Sequence, residues 1–308
     1  MGILYNNSYC LLPDTFLLHE YIFHEKGEKT MIIDFHTHTF PDKIAKTAIE
    51  KLKSASHTRA FTGGTDKELL ASMTSCKIGK SVVLPVATNP DKIPHINDIS
   101  AEKNEDARLI YFAAMHPDFE NAKEEIRRIK NMGIKGIKLH PVYQNIDFDD
   151  IKTLRVLEYA EENELITVVH AGLDVGFPGV MRCTPKMVKS SVDTIRPKRL
   201  VLAHMGGWKM WHQAAYMLSD RGLFIDTSFS IGKMTQDTPY YSEEELQLLN
   251  FRDAAEIIEA FGENNVLFGT DSPWGDQKTE IDNILNLPVS NKIKEKILYK
   301  NASRILQI

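Results

Sequence analysis

Cysteine is scarce in this chain of 308 residues, which contains only Cys10, Cys76 and Cys183. The three lie far apart and show no paired spacing, which argues against a disulfide framework and against a thiolate metal site. So few unpaired thiols fit a reducing compartment. We therefore expect the protein to be cytoplasmic.

Long apolar runs are also missing, since no stretch approaches the roughly 20 apolar residues that cross a bilayer. The N-terminus has no basic segment, and its apolar run at 9–18 is interrupted by Pro13 and Asp14, so a signal peptide is not expected. A strand-like pattern begins only afterwards. We expect residues 1–30 to be an N-terminal extension outside the fold and residues 31–308 to form a single domain.

Charge of one sign does not dominate, because 37 basic residues are balanced by 42 acidic ones and the net charge is −5. The chain therefore has no broad positive field that would favour nucleic acid or an anionic membrane surface. A small-molecule partner is the expectation that remains, and a homodimer is compatible with it.

Short β-branched segments alternate with longer segments of helical period from residue 31 onward, which is typical of parallel sheet with crossover helices. Eight such units over about 250 residues predict a closed (β/α)8 TIM barrel. An open doubly wound sheet is the weaker alternative, because no G-x-G-x-x-G motif or phosphate loop follows a strand. The expected strands are Met31 to Phe35, Ser81 to Val86, Leu109 to Ala113, Gly136 to Leu139, Leu165 to Val169, Leu200 to Ala203, Leu223 to Asp226 and Val266 to Phe268.

Helical faces are visible in several connections between these strands. We expect Asp118 and Asp150 to cap two of the helices, and Gly262 to end a helix over 251–261 in the left-handed conformation. The long connection at 39–79 is expected to hold two helices. The apolar faces are Phe119, Ala122, Ile126 and Ile129 in one helix, and Ile151, Leu154, Leu157 and Ala160 in another.

Polar side chains collect at the C-terminal ends of the expected strands, which meet at one mouth in a TIM barrel. Because His36 and His38 are two residues apart in a strand, both side chains point to the same side. We expect a metal site there. The polar residues at strand ends are Asp34, His36, His38, His116, Lys138, His140, His170, His204 and Asp271.

A single histidine after a strand is usually a surface or hydrogen-bonded residue. Six of the 11 histidines nevertheless lie at or just beyond strand ends, which chance does not readily produce. The other five, which we do not assign to the site, are His19, His24, His57, His95 and His212.

Five short motifs occur in order on the expected strands, and together they resemble the amidohydrolase superfamily. The resemblance is closest to the branch that includes the aminocarboxymuconate semialdehyde decarboxylases and related hydrolases, and it extends from Met31 to the C-terminus. The motifs are Asp34-Phe-His36-Thr-His38, Gly136-Ile-Lys138-Leu-His140-Pro141, His170-Ala-Gly172, Ala203-His204-Met-Gly206-Gly207 and Gly269-Thr-Asp271-Ser-Pro273.

The resemblance implies one divalent metal ion bound by His36, His38, His170 and Asp271. Three imidazoles and one carboxylate suit Zn²⁺, with Mn²⁺ or Fe²⁺ as alternatives because no thiolate selects among them. It further implies that Asp271 accepts and shuttles a proton. His204 would orient or activate the substrate and water, or serve as an acid or base.

Lys138 has three open interpretations. In binuclear relatives the lysine of this strand is carboxylated and bridges two metals, whereas in the mononuclear branch, which the Lys138-Leu-His140-Pro141 form resembles, it is not a bridging ligand. In the second interpretation Lys138 forms an ion pair within the mouth. In the third, Lys138 or His140 contacts an anionic substrate.

Three further residues are candidates for substrate contact. His116 follows the third strand, Arg182 lies in the loop after His170 and Trp274 follows Asp271. Arg182 is placed to clamp a carboxylate, or else is a solvated loop residue. Trp274 either walls the pocket or fills the space between two loops.

The leading functional hypothesis is a metal-dependent hydrolase that cleaves an ester, lactone or amide of a small molecule by activating water. The alternative is a metal-dependent decarboxylase of a cyclic or unsaturated acid. A TatD-like phosphodiesterase is disfavoured because Lys138 stands where that family is expected to have a glutamate. A barrel whose metal is not catalytic is the least favoured hypothesis.

Overall fold

Parallel strands with helices between them make up the structure, a computed structural model that describes residues 31–104 and 107–308. The expectation that residues 1–30 lie outside the fold falls outside these described residues. In chain order the strands are β1 (Ile32–Thr37), β2 (Ile78–Val83), β3 (Leu109–Tyr111), β4 (Ala113–Ala114), β5 (Gly136–Leu139), β6 (Ile166–Val169), β7 (Leu200–Leu202), β8 (Phe224–Asp226) and β9 (Val266–Leu267).

The strands close into a ring in sequence order, β1-β2-β3 followed by β4 to β9, with every pair parallel. The segments β3 and β4 are two pieces of one barrel strand, because the amide between them, Phe112 N, still donates to Val83 O of β2 at 3.0 Å. The ring is closed by Phe35 N donating to Phe268 O at 2.7 Å and by a parallel bridge between Thr37 and Ser272. The predicted TIM barrel is confirmed.

The helices occupy the connections, including the two that were predicted within 39–79. No helix of the described residues is long and apolar enough to span a membrane. The α-helices are Asp42–Ser56, Asp66–Ser75, Ile93–Lys103, Ala122–Asn131, Pro141–Gln144, Ile151–Glu162, Pro185–Ile195, Trp211–Leu218, Phe251–Phe261, Gln277–Leu285, Asn291–Glu295 and Asn301–Leu306, with 3₁₀ turns at Pro90–Lys92 and Ser219–Arg221 and a π turn at Lys296–Lys300.

One of the two predicted helix caps is confirmed and the other is wrong. Asp150 precedes its helix and its side chain accepts from Lys152 N. Asp118 is not a cap, because its helix begins only at Ala122, after Asn121. The Asp118 carboxylate instead pairs with the Lys152 ammonium at 2.6 Å.

Two local expectations about helix ends also differ from the structure. Ile151 is 59% exposed, because it is the first residue of its helix and lies before the turn that packs on the barrel. Gly262 does end the helix Phe251–Phe261 with a positive φ of 88°, but its ψ of 133° lies outside the left-handed helical region.

The apolar core fills the interior of the ring beneath its C-terminal mouth. Phe35 and Phe112 meet edge to face inside it, with ring centroids 5.9 Å apart, which is a favourable arrangement of aromatic quadrupoles. Ala302 and Leu306 of the last helix belong to the same cluster. Close packing here gives the strand ends above it a rigid base.

Candidate metal centre

Three of the four predicted metal ligands meet at the mouth of the barrel. His36 Nε2 and His38 Nε2 are 3.1 Å apart, and Asp271 Oδ1 lies 3.4 Å from the first and 3.2 Å from the second. The side chains of His38 and Asp271 are 15% and 12% exposed, against 1% for His36. The group is therefore buried on the side of His36 and accessible on the side of His38 and Asp271.

The fourth predicted ligand, His170, pairs with His204 beside this group. His170 Nδ1 lies 3.0 Å from His204 Nε2, and the His204 ring is 5.1 Å from the His36 ring. The mouth therefore holds two pairs of imidazoles next to each other, one from β1 and one from the ends of β6 and β7.

The hydrogen bonds of His36 and His38 fix which ring nitrogen carries the proton. His36 Nδ1 lies 2.8 Å from Asp226 Oδ2 and His38 Nδ1 lies 2.8 Å from Leu84 O. Both partners are acceptors, so both Nδ1 atoms donate. In the neutral rings the two Nε2 atoms then point lone pairs at each other and at the Asp271 carboxylate, an arrangement of acceptors that a cation would satisfy.

The second imidazole pair follows the same pattern. His170 Nε2 faces Leu173 O at 3.0 Å, and His204 Nδ1 faces Ser228 O at 3.1 Å. The nitrogens that face each other, His170 Nδ1 and His204 Nε2, are thus also lone pairs. Burial lowers the pKa of both rings, so the neutral form that ligates metals is favoured.

These residues fit a divalent metal ion. In protein metal sites a ligating histidine nearly always donates its other N–H to a carboxylate or carbonyl, and all four rings here do so. Imidazole and carboxylate donors without sulfur suit Zn²⁺, Mn²⁺ or Fe²⁺. Burial lowers the pKa of His36 to about 3, which keeps that ring available as a neutral ligand.

Asp226 and Ser228 support this centre from below, and sequence reasoning missed both. Asp226 Oδ2 accepts from His36 Nδ1, and its Oδ1 accepts from the backbone amides of His204 at 3.0 Å and Ser228 at 3.1 Å and from Ser228 Oγ. Burial alone would raise the pKa of Asp226, but the interactions with His36 hold it well below the usual value. Asp226 ends β8, so the rule that found the other residues also applies to it.

Lys138 is buried inside the cluster, with 1% of its surface exposed. Its Nζ lies 3.2 Å from His36 Nε2. Burial lowers the pKa of Lys138 to about 8, against the opposing effect of Asp226 and Asp271. The side chain therefore brings a positive charge to the cluster at neutral pH.

Asp271 adopts the left-handed conformation, with φ of 62°, which is uncommon for a residue with a side chain. Its amide donates to His36 O at 2.8 Å, which ties it to β1. Burial would raise its pKa, but the neighbouring imidazoles of His38 and His36 hold the pKa well below the usual value. Asp271 is therefore ionised at neutral pH.

Asp34 is a buried carboxylate beneath the mouth, and its hydrogen bonds join β1 to the segment after β9 where the barrel closes. It accepts from Thr270 N at 3.0 Å, Thr270 Oγ1 at 2.6 Å and Gln277 Nε2 at 2.8 Å. Burial raises its pKa to about 7. This network holds the strand of His36 and the residue before Asp271 in fixed register.

The remaining sequence candidates lie at varying distances from the cluster. His140 stacks on His170, with ring centroids 4.2 Å apart and planes 12° apart. Trp274 is half-buried and its amide donates to Asp271 O at 2.8 Å, so it begins the turn after that residue.

His116 and Arg182 have local partners instead. His116 is 3% exposed, and its Nδ1 accepts from Asp118 N at 3.1 Å. Arg182 donates to Asp147 at 2.9 Å and to Asn145 at 2.7 Å. Within the described chain these contacts hold loops around the mouth and do not reach the four imidazoles.

Asp174, in the loop after His170, is a further buried carboxylate that the sequence did not indicate. Its Oδ2 lies 3.5 Å from His140 Nε2 and 3.6 Å from His170 Nε2. His140 Nδ1 accepts from Tyr143 N, so His140 Nε2 carries the proton and has no lone pair to offer. The group of His140, His170 and Asp174 therefore differs in kind from the metal-facing cluster.

The sequence matches the amidohydrolase family model over residues 33–308, and the chain belongs to this family of metal-dependent enzymes. The expectation from the sequence motifs is thereby confirmed. Among curated proteins, no sequence matches the chain.

Solved structures share the barrel at low sequence identity. A 5-carboxyvanillate decarboxylase from Sphingomonas paucimobilis is 17% identical, with a TM-score of 0.63 over 91% of this chain and 99% of that one. An uncharacterised TIM-barrel protein from Bordetella bronchiseptica is 18% identical, with a TM-score of 0.70 over 90% and 98%. A dihydroxybenzoic acid decarboxylase from Polaromonas, solved with manganese and 2-nitroresorcinol, is 15% identical, with a TM-score of 0.62 over 90% and 97%.

Proposed function

We propose that this enzyme is a metal-dependent decarboxylase of a small ring carboxylic acid. The observation that carries the proposal is the buried side-chain amine of Lys138, whose Nζ lies 3.2 Å from His36 Nε2 inside the same cluster as the ligands. Hydrolysis, the leading expectation from sequence, becomes the second candidate.

The charges of the inner cluster favour an anionic substrate. Asp226 and Asp271 are ionised, Lys138 is cationic and the buried imidazoles are neutral. A divalent ion would offset the charge of the two carboxylates and would itself present a positive charge to the open side of the cluster. In a buried site such a charge is poorly screened and attracts a carboxylate.

The structural relatives support the same substrate class. The proteins from Sphingomonas paucimobilis and Polaromonas are named as decarboxylases of aromatic acids, and the second was solved with manganese. A further relative, 17% identical with a TM-score of 0.64, is a 2,6-dihydroxybenzoate decarboxylase solved with that acid bound. These names support a ring acid as the first substrate to test and Mn²⁺ beside Zn²⁺ and Fe²⁺ as the ion.

The residues have distinct tasks in this proposal. His36, His38, His170 and Asp271 would hold the ion, and the ion would polarise the acid group and a neighbouring oxygen of the substrate. Lys138 stabilises negative charge on the substrate. His204, beside His170, orients the acid at the mouth.

Decarboxylation breaks the bond between the ring carbon and the carboxylate carbon, releases CO₂ and leaves a proton on the ring carbon. Asp271 is ionised, so it must first take up a proton before it can supply one. A hydroxyl next to the acid group provides that proton, which Asp271 then passes to the ring carbon. The overall change consumes one proton from solvent, and no oxidant is needed.

Hydrolysis of an ester, lactone or amide is the second candidate, and an ionised Asp271 is compatible with it. A carboxylate that is ionised at neutral pH is ready to accept a proton from water. The same residue set would serve both reactions, so the two are separated by the product.

The test is to load the purified protein with Mn²⁺, Zn²⁺ or Fe²⁺ and to measure CO₂ release from hydroxylated benzoates in parallel with hydrolysis of a panel of lactones, esters and amides. We expect CO₂ release that is lost in Asp271→Asn while Asp220→Asn, at an exposed surface carboxylate, keeps it. Hydrolysis without CO₂ release would replace the proposal by the second candidate.

A further inference from the structure

Ser228 lies behind the inner cluster, two residues after the end of β8, and is fully buried. Its hydroxyl oxygen is 3.0 Å from His204 Nδ1 and 3.1 Å from His36 Nδ1. The same oxygen is 2.5 Å from Asp226 Oδ1. One hydroxyl therefore contacts a candidate metal ligand, a candidate catalytic histidine and the carboxylate beneath both.

The hydrogen of this hydroxyl is committed to Asp226. That carboxylate receives His36 Nδ1 on one oxygen and the amides of His204 and Ser228 on the other, so it acts only as an acceptor. A serine hydroxyl has one hydrogen and two lone pairs. Its two lone pairs are thus left to the two imidazole nitrogens, and each of these nitrogens must carry a proton.

The backbone of Ser228 requires the same proton on His204. Its carbonyl oxygen, which can only accept, lies 3.1 Å from His204 Nδ1. That carbonyl also accepts from Ser230 Oγ at 2.8 Å, so it is shared between two donors. Ser228 therefore supplies two acceptors to His204 Nδ1, and the hydroxyl is the closer one.

The main chain of His204 is fixed as well. The residue adopts the left-handed conformation, with φ of 60°, which is uncommon for a residue with a side chain. Its amide donates to Asp226 Oδ1 at 3.0 Å, and its carbonyl accepts from Trp211 Nε1 at 3.0 Å. Rotation of the ring is the freedom that remains, and the contacts with Ser228 restrict it.

The position of the ring proton decides what His204 can do at the mouth. A neutral imidazole that carries its proton on Nδ1 has its lone pair on Nε2. In His204 this Nε2 lies 3.0 Å from His170 Nδ1, on the side of the metal-facing imidazoles. His204 would therefore accept a hydrogen bond from a hydroxyl of the substrate.

We propose that Ser228 is a positioning residue for His204, because its hydroxyl, oriented by Asp226, keeps the ring proton on Nδ1 and presents Nε2 as an acceptor. The task of His204 rests on the proposed function, whereas the hydrogen bonds that fix its ring do not. His36 shares the hydroxyl but has a closer acceptor in Asp226 Oδ2, at 2.8 Å. Its dependence on Ser228 is therefore smaller.

The test uses the protein loaded with Zn²⁺ and labelled with ¹⁵N in its histidines. Long-range ¹H–¹⁵N spectra show which ring nitrogen carries the proton, and the signals of His204 are assigned by their loss in His204→Asn. We expect the proton on Nδ1. In Ser228→Ala this proton should exchange with water roughly tenfold faster, the scale set by the loss of one hydrogen bond.

Two controls accompany this variant. The Nδ1 proton of His38 is bonded to Leu84 O and should exchange at its native rate in the same spectrum. Ser191→Ala removes another fully buried hydroxyl, which donates to Phe148 O, and should leave His204 unchanged. Bound zinc should stay near one equivalent in both variants, while CO₂ release by Ser228→Ala should fall roughly tenfold.

The outcomes separate this inference from the proposed function. A proton on Nε2 of His204 in the native spectrum overturns the inference and requires no variant. Unchanged exchange at His204 in Ser228→Ala, or CO₂ release by that variant at the native rate, overturns it too. If the native protein releases no CO₂ from any acid, the proposed function fails, and faster exchange in Ser228→Ala still supports the role of Ser228.

Discussion

The metal-facing imidazoles and two nearby residues on the rim of the mouth, Asp174 and Tyr143, are held very differently by their partners. In the inner cluster, the outward nitrogens of His36 and His38 each meet an acceptor at 2.8 Å. On the rim, Asp174 meets its two imidazoles only at 3.5 and 3.6 Å, and the Tyr143 hydroxyl meets no partner among the described residues.

The carboxylates of the two regions also differ in pKa, which is lowered in the inner cluster and raised on the rim. Contacts with the neighbouring imidazoles hold the pKa values of Asp226 and Asp271 below the usual value in spite of burial. Burial raises the pKa of Asp174 to about 6, because its amide hydrogen bonds and Lys138 only partly oppose it. The inner cluster is thus organised in advance to hold an ion, whereas Asp174 is only weakly stabilised in its ionised form.

The largest effect is expected from His38→Ala. This change removes one of the two lone pairs that face Asp271, so metal content should fall from about one equivalent to almost none, and activity by at least about a thousandfold. Elemental analysis and turnover measure the two quantities. His95→Ala, at an exposed helical histidine, is the matched control, and a His38→Ala protein that keeps its metal would refute the assignment.

A smaller effect is expected from Asp226→Asn, which keeps the shape but removes the acceptor charge behind His36. Loss of such a supporting partner typically weakens metal affinity by roughly 10 to 100 fold. Competition with a chelator measures the affinity, and excess metal should restore part of the activity. Unchanged affinity would mean that Asp226 does not set the His36 tautomer.

Asp174 should make the stability of the protein depend on pH. Because the pKa of Asp174 is about 6 in the folded state against 3.8 as a model value, the folded state binds this proton more tightly. Between pH 4 and 6 the folded protein should lose up to about 3 kcal/mol of stability as pH rises. Asp174→Asn should remove that loss.

Urea unfolding of the metal-free native protein and of Asp174→Asn at several pH values measures this difference. As pH rises from 4 to 7, the free energy of unfolding of the native protein should fall relative to that of the variant. A difference in unfolding free energy that stays constant over this range would show that Asp174 is not a strained, buried acid.

The smallest effect is expected from Tyr143→Phe on stability. Its hydroxyl has no partner among the described residues, so the free energy of unfolding should change by less than about 0.5 kcal/mol. Tyr241→Phe is a matched comparison, because the Tyr241 hydroxyl donates to Ser56 O at 2.7 Å and its loss should cost about 1 kcal/mol. Equal losses would indicate that Tyr143 has a structural partner.

The barrel and much of the inner cluster could be predicted from sequence because both follow from period and position. Strand segments recur at regular intervals, and their C-terminal ends meet at one mouth. His36, His38 and Asp271 came together as this rule requires. Asp226 could have been found in the same way, since it ends the seventh predicted strand.

The placement of Asp174 and Tyr143 on the rim could not be predicted because it depends on contacts between loops. Asp174 and Tyr143 belong to different connections and carry no periodic signal, and only the folded chain places both beside Gly176. The same limit explains the error at Asp118, which pairs with Lys152 from another unit. Arg182 likewise found its partners in the preceding loop.

The hydrogen bonds between Asp34 and Thr270 join β1 to the end of β9, and this has a consequence for how the protein matures. These residues are 236 positions apart, so the histidines of β1 and the aspartate after β9 meet only when nearly the whole chain has been synthesised and the ring has closed. Such distant contacts form late in folding. Uptake of the ion would then mark the completion of the barrel, and a nascent chain that ends before Gly269 should leave the ion in solution.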